Sequence, residues 1–392
     1  MTEPARKRRW PKFLAAFAVL LLIGAWWVNR QLEPNRLTAL VLDRAGTALG
    51  LELTIEGTPE YALRPEPRLV LPKLTARQPG AAAPLLTAAR AEVSLPWSTL
   101  TGGESLVITR IELDAPALDL EALSAWQATR PEAPFELPTL TRGLAVNEGR
   151  VIGDGWTLEA LALDLPELRP GDPARAVASG RFEQPGTRLD FDADLDLADA
   201  GLASGMTLRM QGRLKNADLD VPYLLELDGA LDAEREPMTL AITRLALDSE
   251  GVVPDLSAAG NVSFGEALAL DLAGELASWP AAWPTLPAPL SDSTSPLAYT
   301  LAYDGPGDLS ADSRLTLKRD DTTAATTLAL PELMAWLDDP EAAPLPPLEA
   351  TLSTPSVVMD GVTLEGVRIS IEEDDAEAEG QAGEDAASEE TP

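Results

Sequence analysis

The densest run of potentially reactive groups lies at 189–197, LDFDADLDL, where Asp190, Asp192, Asp194 and Asp196 recur at every second position. Carboxylates in such number could hold calcium, but a calcium loop needs Gly at its sixth position and Glu at its twelfth. Counted from Asp192, the sixth residue is Leu197. Paired carboxylates could instead cleave glycosides, which takes two acids about 5–10 Å apart in a cleft with aromatic platforms. With 63 acidic residues in the chain, close pairs arise from composition alone, and Trp10, Trp26 and Trp27 are spent near the N-terminus. The competing reading of the Asp row is a solvated strand face, and the strict alternation favours it.

Other chemistries are excluded by what the chain lacks. It has no Cys, so no thiol nucleophile, disulfide framework or iron–sulfur site. It has no His, so no Ser-His-Asp triad, HExxH zinc site or imidazole base. The motifs GxSxG, GxGxxG and GxxxxGK[ST] are absent. A net charge of -33 repels phosphate backbones and argues against nucleic-acid binding, and much of it reads simply as a solubilising surface. The expectation is a non-enzymatic protein with no cofactor and no metal.

The charge is uneven. Residues 1–12 carry Arg6, Lys7, Arg8, Arg9 and Lys12 against Glu3, whereas 372–392 carry ten acids and no base. Between 13 and 28 runs FLAAFAVLLLIGAWWV, sixteen residues without a charge. At 1.5 Å rise these reach about 24 Å, near the ~30 Å of a bilayer core. Trp10, Trp26 and Trp27 extend the span as interfacial aromatics, and Lys12 and Arg30 can snorkel outward. The basic cluster predicts a cytoplasmic N-terminus, with the bulk of the chain across the membrane. A cleaved signal peptide needs small residues at its exit. Gly24-Ala25 is followed instead by Trp26-Trp27-Val28-Asn29-Arg30, so an uncleaved single-pass anchor is the reading adopted.

After the anchor the chain divides by period. Residues 33–50 place Leu37, Leu40, Val41, Ala45, Ala48 and Leu49 at helical spacing, between Pro34-Asn35 and Gly50, which predicts a short amphipathic helix. Beyond this helix the period becomes two. Seventeen segments alternate: 51–57, 68–74, 89–95, 106–114, 117–123, 144–152, 156–165, 188–198, 206–214, 223–231, 238–248, 256–264, 268–276, 297–305, 309–318, 326–331 and 362–372. Gly and Asp-Gly recur among them, at 147–149, 227–229, 303–305 and 360–361, as a meander of antiparallel strands would produce. Short apolar helices are expected at 120–128 and 331–338. Pro-rich linkers are read at 129–139, 277–296 and 339–347, and the acidic end at 372–392 has the composition of a disordered tail.

Alternation gives each strand one apolar and one polar face. At 189–197 a slip of one residue would bury four carboxylates, so the register is strongly set. Too few helical segments exist to cover these apolar faces. They must seal against each other as closed β-sandwiches, or remain open as a groove. The apolar positions are mostly Leu, Val, Ala and Ile, which can hold alkyl chains without hydrogen-bond demands.

The order of motifs over 40–120 resembles the AsmA family of inner-membrane-anchored envelope proteins. A strand ends at Gly57. A Pro-rich stretch comes next with Leu63, Pro65, Pro67, Leu69 and Leu71, then a small-residue strand at 88–93. The turn 95–103, LPWSTLTGG, leads to 106–120, LVITRIELDAPALDL. Asn147-Glu148-Gly149 with Leu158, Leu161, Leu163 and Leu165, and the segment 360–371, are similar in style to later strands of that family. The match is close over 40–120 and looser elsewhere, and the acidic tail departs from it.

The resemblance implies a mainly β fold: a transmembrane helix, a short amphipathic helix, then a long, twisted antiparallel sheet forming a U-shaped groove. It implies a role in outer-membrane biogenesis through phospholipid transfer, with the bulk of the chain in the periplasm. The expected organisation is a basic tail (1–12), anchor (13–28), AsmA-like region (29–130), β-groove array (131–371) and acidic tail (372–392). Acyl chains would lie on Leu189, Phe191, Leu195, Leu197, Leu268, Leu270, Leu272, Leu315 and Leu317. Partners would be phospholipid acyl chains, the inner membrane and envelope proteins. The other reading is a non-enzymatic envelope scaffold or secretion and assembly factor.

Overall fold

The computed structural model describes residues 49–62, 64–97, 107–129, 137–216, 219–251, 253–281, 290–329, 349–359 and 362–371, with scattered positions at 42, 43, 46, 47, 283, 285, 286, 331 and 332. The expected anchor at 13–28, nearly all of the amphipathic helix at 33–50, most of the helix at 331–338, and the acidic tail lie outside the described residues. Among the described residues, no helix is long and apolar enough to cross a membrane. The fold is mainly β. It divides into two compact units, one comprising residues up to 170 with 176–186, the other 171–175 with 187 onward. That boundary falls in a stretch where the sequence has no marked linker.

The first unit begins with β1 (Glu52–Ile55), β2 (Glu60–Ala62), β3 (Arg68–Arg77) and β4 (Leu86–Ser94). Next come β5 (Val107–Ile108), β6 (Arg110–Asp114), β7 (Ala117–Asp119) and α1 (Leu120–Ala128). They are followed by β8 (Thr139–Leu140), β9 (Leu144–Ile152), β10 (Thr157–Leu165) and most of β11 (Ala174–Gln184). Asp119 ends β7 and caps α1, its carboxylate accepting the Ala122 N–H at 2.9 Å. The Trp126 indole donates to the Leu49 carbonyl at 2.9 Å and ties the helix down.

The sheet is not wholly antiparallel, as the alternation alone suggested. β9 runs parallel to β6 and β7. The reason is α1: a crossover of a dozen or more residues lets the chain return in the same direction, which a tight hairpin cannot. Val70, Leu71, Ala76, Leu85, Ala88, Ala91, Leu140, Ala145 and Val146 are buried in this unit. Its polar side carries an ion-pair network. Arg90 donates to Asp114 (3.3 Å) and pairs with the buried Glu92, while Arg110 holds Glu112 at 2.6 Å.

Among the described residues, the second unit is a meander of eleven strands. It runs β12 (Thr187–Leu197), β13 (Ala203–Asn216), β14 (Leu219–Asp232), β15 (Met238–Ser249), β16 (Leu256–Phe264) and β17 (Leu268–Leu276). After a 3-10 turn (Leu290–Asp292) come β18 (Leu297–Gly305), β19 (Asp312–Arg319), β20 (Thr322–Ala329), β21 (Glu349–Met359) and β22 (Val362–Ile371). Each strand pairs antiparallel with the next. Of the Gly signals, 303–305 ends β18, and two lie in strand interiors. In β9, Glu148 has φ 52° beside shifts of register against β10. In β14, the register against β15 shifts between Asp228 and Gly229. These are bulges, which bend a strand and increase its local twist.

Candidate apolar binding face

The alternation at 189–197 fixes what the second unit presents on each side. Asp190, Asp192, Asp194 and Asp196 share one face of β12. That face is an ion-pair lattice: Asp194 meets Arg175 at 2.8 Å, Asp190 meets Arg188 at 3.2 Å, and Asp220 meets Arg213 at 2.8 Å. Arg244 reaches Glu226 (3.6 Å) and Asp228 (3.8 Å). The hydrogen bond to Asp194 raises the Arg175 guanidinium pKa, and the hydrogen bond from Arg213 lowers that of the Asp220 carboxyl. Hydrogen bonds from Ser310 and from Ser293 likewise lower the Asp308 and Asp320 carboxyls. A general acid needs the opposite shift. Among the described residues no group of three or more acids has the arrangement of a metal site.

The other face is apolar across the meander apart from Thr326 on β20. Leu195, Leu208, Leu227, Leu245, Ala258, Gly274, Tyr299, Leu317, Ala324, Leu352 and Ile369 are successive cross-strand partners from β12 to β22. A parallel row runs Leu197, Met206, Gly229, Ile242, Gly260, Leu272, Leu301, Leu315, Thr326, Ala350 and Ile371. The nine residues singled out in the sequence all lie on this face and all remain partly exposed. Leu195 and Leu317 are in the first row, and Leu197, Leu272 and Leu315 are in the second. Leu189 partners Leu214, Phe191 partners Gly212, Leu268 partners Phe264, and Leu270 partners Val262 and Tyr303.

Polar atoms on this face are turned inward. The Tyr223 hydroxyl donates to the Asp190 carbonyl (3.3 Å), Tyr299 to Ser257 (3.0 Å) and Tyr303 to Pro306 (2.5 Å). Burial, with the charges of Asp192 and Asp190, pushes the Tyr223 phenol up to about 12. Burial also raises Tyr299. Two glycines here lie where no side chain fits. A Cβ on Gly274 would stand 1.7 Å from the Ser257 carbonyl oxygen, and one on Gly260 would stand 1.9 Å from that of Asp271. Glycines at such close approaches, together with bulges, are how sheets accommodate tight bends.

Coverage differs between the two ends of the strands. At the end carrying Leu256, Leu276 and Leu297, described residues of the Pro-rich stretch 277–296 fold back onto the face. Leu286 and Leu290 pack with Leu276, Leu297 and Leu352, beside Trp279, Tyr299 and Leu317. Trp279 meets Trp283 edge-on at 4.9 Å. Leu290 and Leu297 are 1% and 0% exposed. The buried Arg319 fastens this plug, donating to the Leu290 carbonyl at 2.7 Å and the Ser293 carbonyl at 3.0 Å. Ser295 donates to Asp320 at 3.0 Å.

The sequence reading of 277–296 as a linker missed this role. Its signal was present: Trp279, Trp283, Leu286 and Leu290 are poor residues for a solvated spacer.

At the opposite end, the buried Leu227, Ile242 and Val262 form a second cluster, flanked by partly exposed Met206, Leu208, Leu240, Leu245, Leu268, Leu270 and Leu272. The residues that pack in this cluster all come from β13 to β17. No family model, no curated protein and no solved structure matches the chain.

Proposed function

We propose that this is an AsmA-like, inner-membrane-anchored envelope protein that carries phospholipid acyl chains on the bare half of the apolar face. On this reading the anchor is 13–28, the N-terminus is cytoplasmic, the sheet is periplasmic, and the face curves into a trough. The role is transfer of phospholipid for outer-membrane biogenesis, without catalysis. One observation carries the reading: two rows of cross-strand partners, apolar apart from Thr326 and the glycines, that pass from strand to strand, transverse to the chain, and most of whose members stay partly exposed around the buried Leu227, Ile242, Ala258 and Leu352. A Leu-rich surface is about as apolar as lipid tails. Moving a chain from bilayer to trough is then near neutral, whereas exposing it to water costs about 0.8 kcal/mol per methylene. The close-approach glycines and bulges support bending of the sheet toward this face.

The test is mass spectrometry of organic extracts from the full chain after removal of detergent. Co-purifying phospholipid is expected, lost in Leu270→Asp and retained in Asp271→Asn on the opposite face. Absence of phospholipid from the unaltered protein would refute the proposal. The filled half of the face favours a second reading, a non-enzymatic envelope scaffold. That reading gains if cross-linking recovers one stoichiometric protein partner and the extracts contain no lipid.

A further inference from the structure

At the end of the strands where the apolar face is bare, the turns are acidic. The β12–β13 turn carries Asp199, the β14–β15 turn Glu234 and Glu236, the β16–β17 turn Glu266, and the β18–β19 turn Asp308. Among the described residues of these four turns, Arg235 is the one cation, and its guanidinium lies 3.0 Å from Asp232 at the end of β14. Neighbouring turns on one side of a meander stand two strands apart, or about 10 Å. The screening length at physiological salt is about 8 Å, so the fields of successive turns overlap into a negative rim. The far end offers no equivalent opening over β17–β19, because the plug occupies it.

We propose that the bare half of the face selects an amphiphile whose headgroup carries an ammonium group. Its alkyl chains would lie over the partly exposed Met206, Leu208, Leu240, Leu268 and Leu270, which flank the buried Leu227, Ile242 and Val262, with the headgroup at the acidic rim. Headgroups of net negative charge are disfavoured. This rests on the lipid-carrying reading and adds headgroup selection to it. The apolar rows cannot distinguish one phospholipid from another, because their tails are alike, so discrimination falls to the charges where the headgroup emerges. The contacts are exposed, so the preference is modest, on the order of tenfold at low salt. It weakens as salt screens the rim.

The experiment places a benzoylphenylalanine photocrosslinker at Leu270 of the full chain. The protein is mixed with vesicles of equal parts phosphatidylethanolamine and phosphatidylglycerol, and lipid adducts are identified by mass spectrometry. The expected result is a severalfold to tenfold excess of ethanolamine adducts at low salt, falling toward parity at high salt. The rim variant Glu234→Gln/Glu236→Gln/Glu266→Gln should also bring it toward parity. A control with the same loss of charge in the first unit, Glu52→Gln/Glu60→Gln/Asp154→Asn, should keep the preference. Adducts at parity at low salt, or equal changes in both triple variants, would overturn headgroup selection and leave lipid carriage standing. No adduct with either lipid would overturn both.

Discussion

At the scale of single residues, the polar groups on the apolar face determine how the protein responds to pH and to loss of the plug. Tyr223 is raised to about 12, chiefly by burial and then by Asp192 and Asp190. A phenol whose folded pKa lies above its unfolded value of about 10 contributes stability that is whole below pH 10 and lost as pH rises toward 12. Denaturant titrations of Tyr223→Phe should therefore show a shallower fall in unfolding free energy between pH 10 and 12 than the unaltered chain; identical slopes would mean that Tyr223 contributes nothing. Arg319→Met strips two plug carbonyls of their donor, and a loss of about 2 kcal/mol is expected from urea unfolding. The facing of all nine apolar candidates was legible in the sequence, because a period of two assigns sides by itself. Their coverage was not. Whether Leu317 or Leu272 meets solvent depends on where residues 277–296 land, and that contact is non-local.

At the scale of elements, close approaches between strands set what the sheet tolerates. Gly274→Val would drive a side chain into the Ser257 carbonyl, and a destabilisation of about 3 kcal/mol or more is expected. Gly307→Ala, at a turn where an added Cβ meets nothing within 4 Å, should fall within about 0.5 kcal/mol of the unaltered protein in the same thermal or urea unfolding experiment. Equal effects would argue against a tight bend at β17. Strands with clean alternation were readable to the residue: β9, β16, β17 and β18 begin and end where the pattern does. β11 (ARAVASGRFEQ) and β21 (EATLSTPSVVM) were missed because small and polar residues dominate both faces, and β2 and β8 because two or three residues carry no period. The bulges at Glu148 and Gly229 read as turn signals because glycine serves both purposes.

At the scale of the whole molecule, the sequence posed a choice between an open apolar face and a sealed one, and coverage of that face differs along the second unit. Its plugged half resembles an ordinary core, with Leu297 at 0% exposure. Its other half carries partly exposed apolar side chains around the buried Leu227, Ile242 and Val262, backed by an ion-pair lattice on the reverse side. Such exposed pairs add little stability, about 0–1 kcal/mol each, so their main effect is to hold the two faces distinct. The most direct test exploits that difference, with the photocrosslinker placed in separate copies of the full chain at Leu270, Leu301, Asp271, Thr300 and Leu317 in phospholipid vesicles. Lipid adducts are expected at Leu270 and Leu301, and none at Asp271 and Thr300 on the reverse face or at Leu317 beside the plug. Equal adduct yields on the two faces, or none at Leu270 and Leu301, would contradict lipid carriage on this surface.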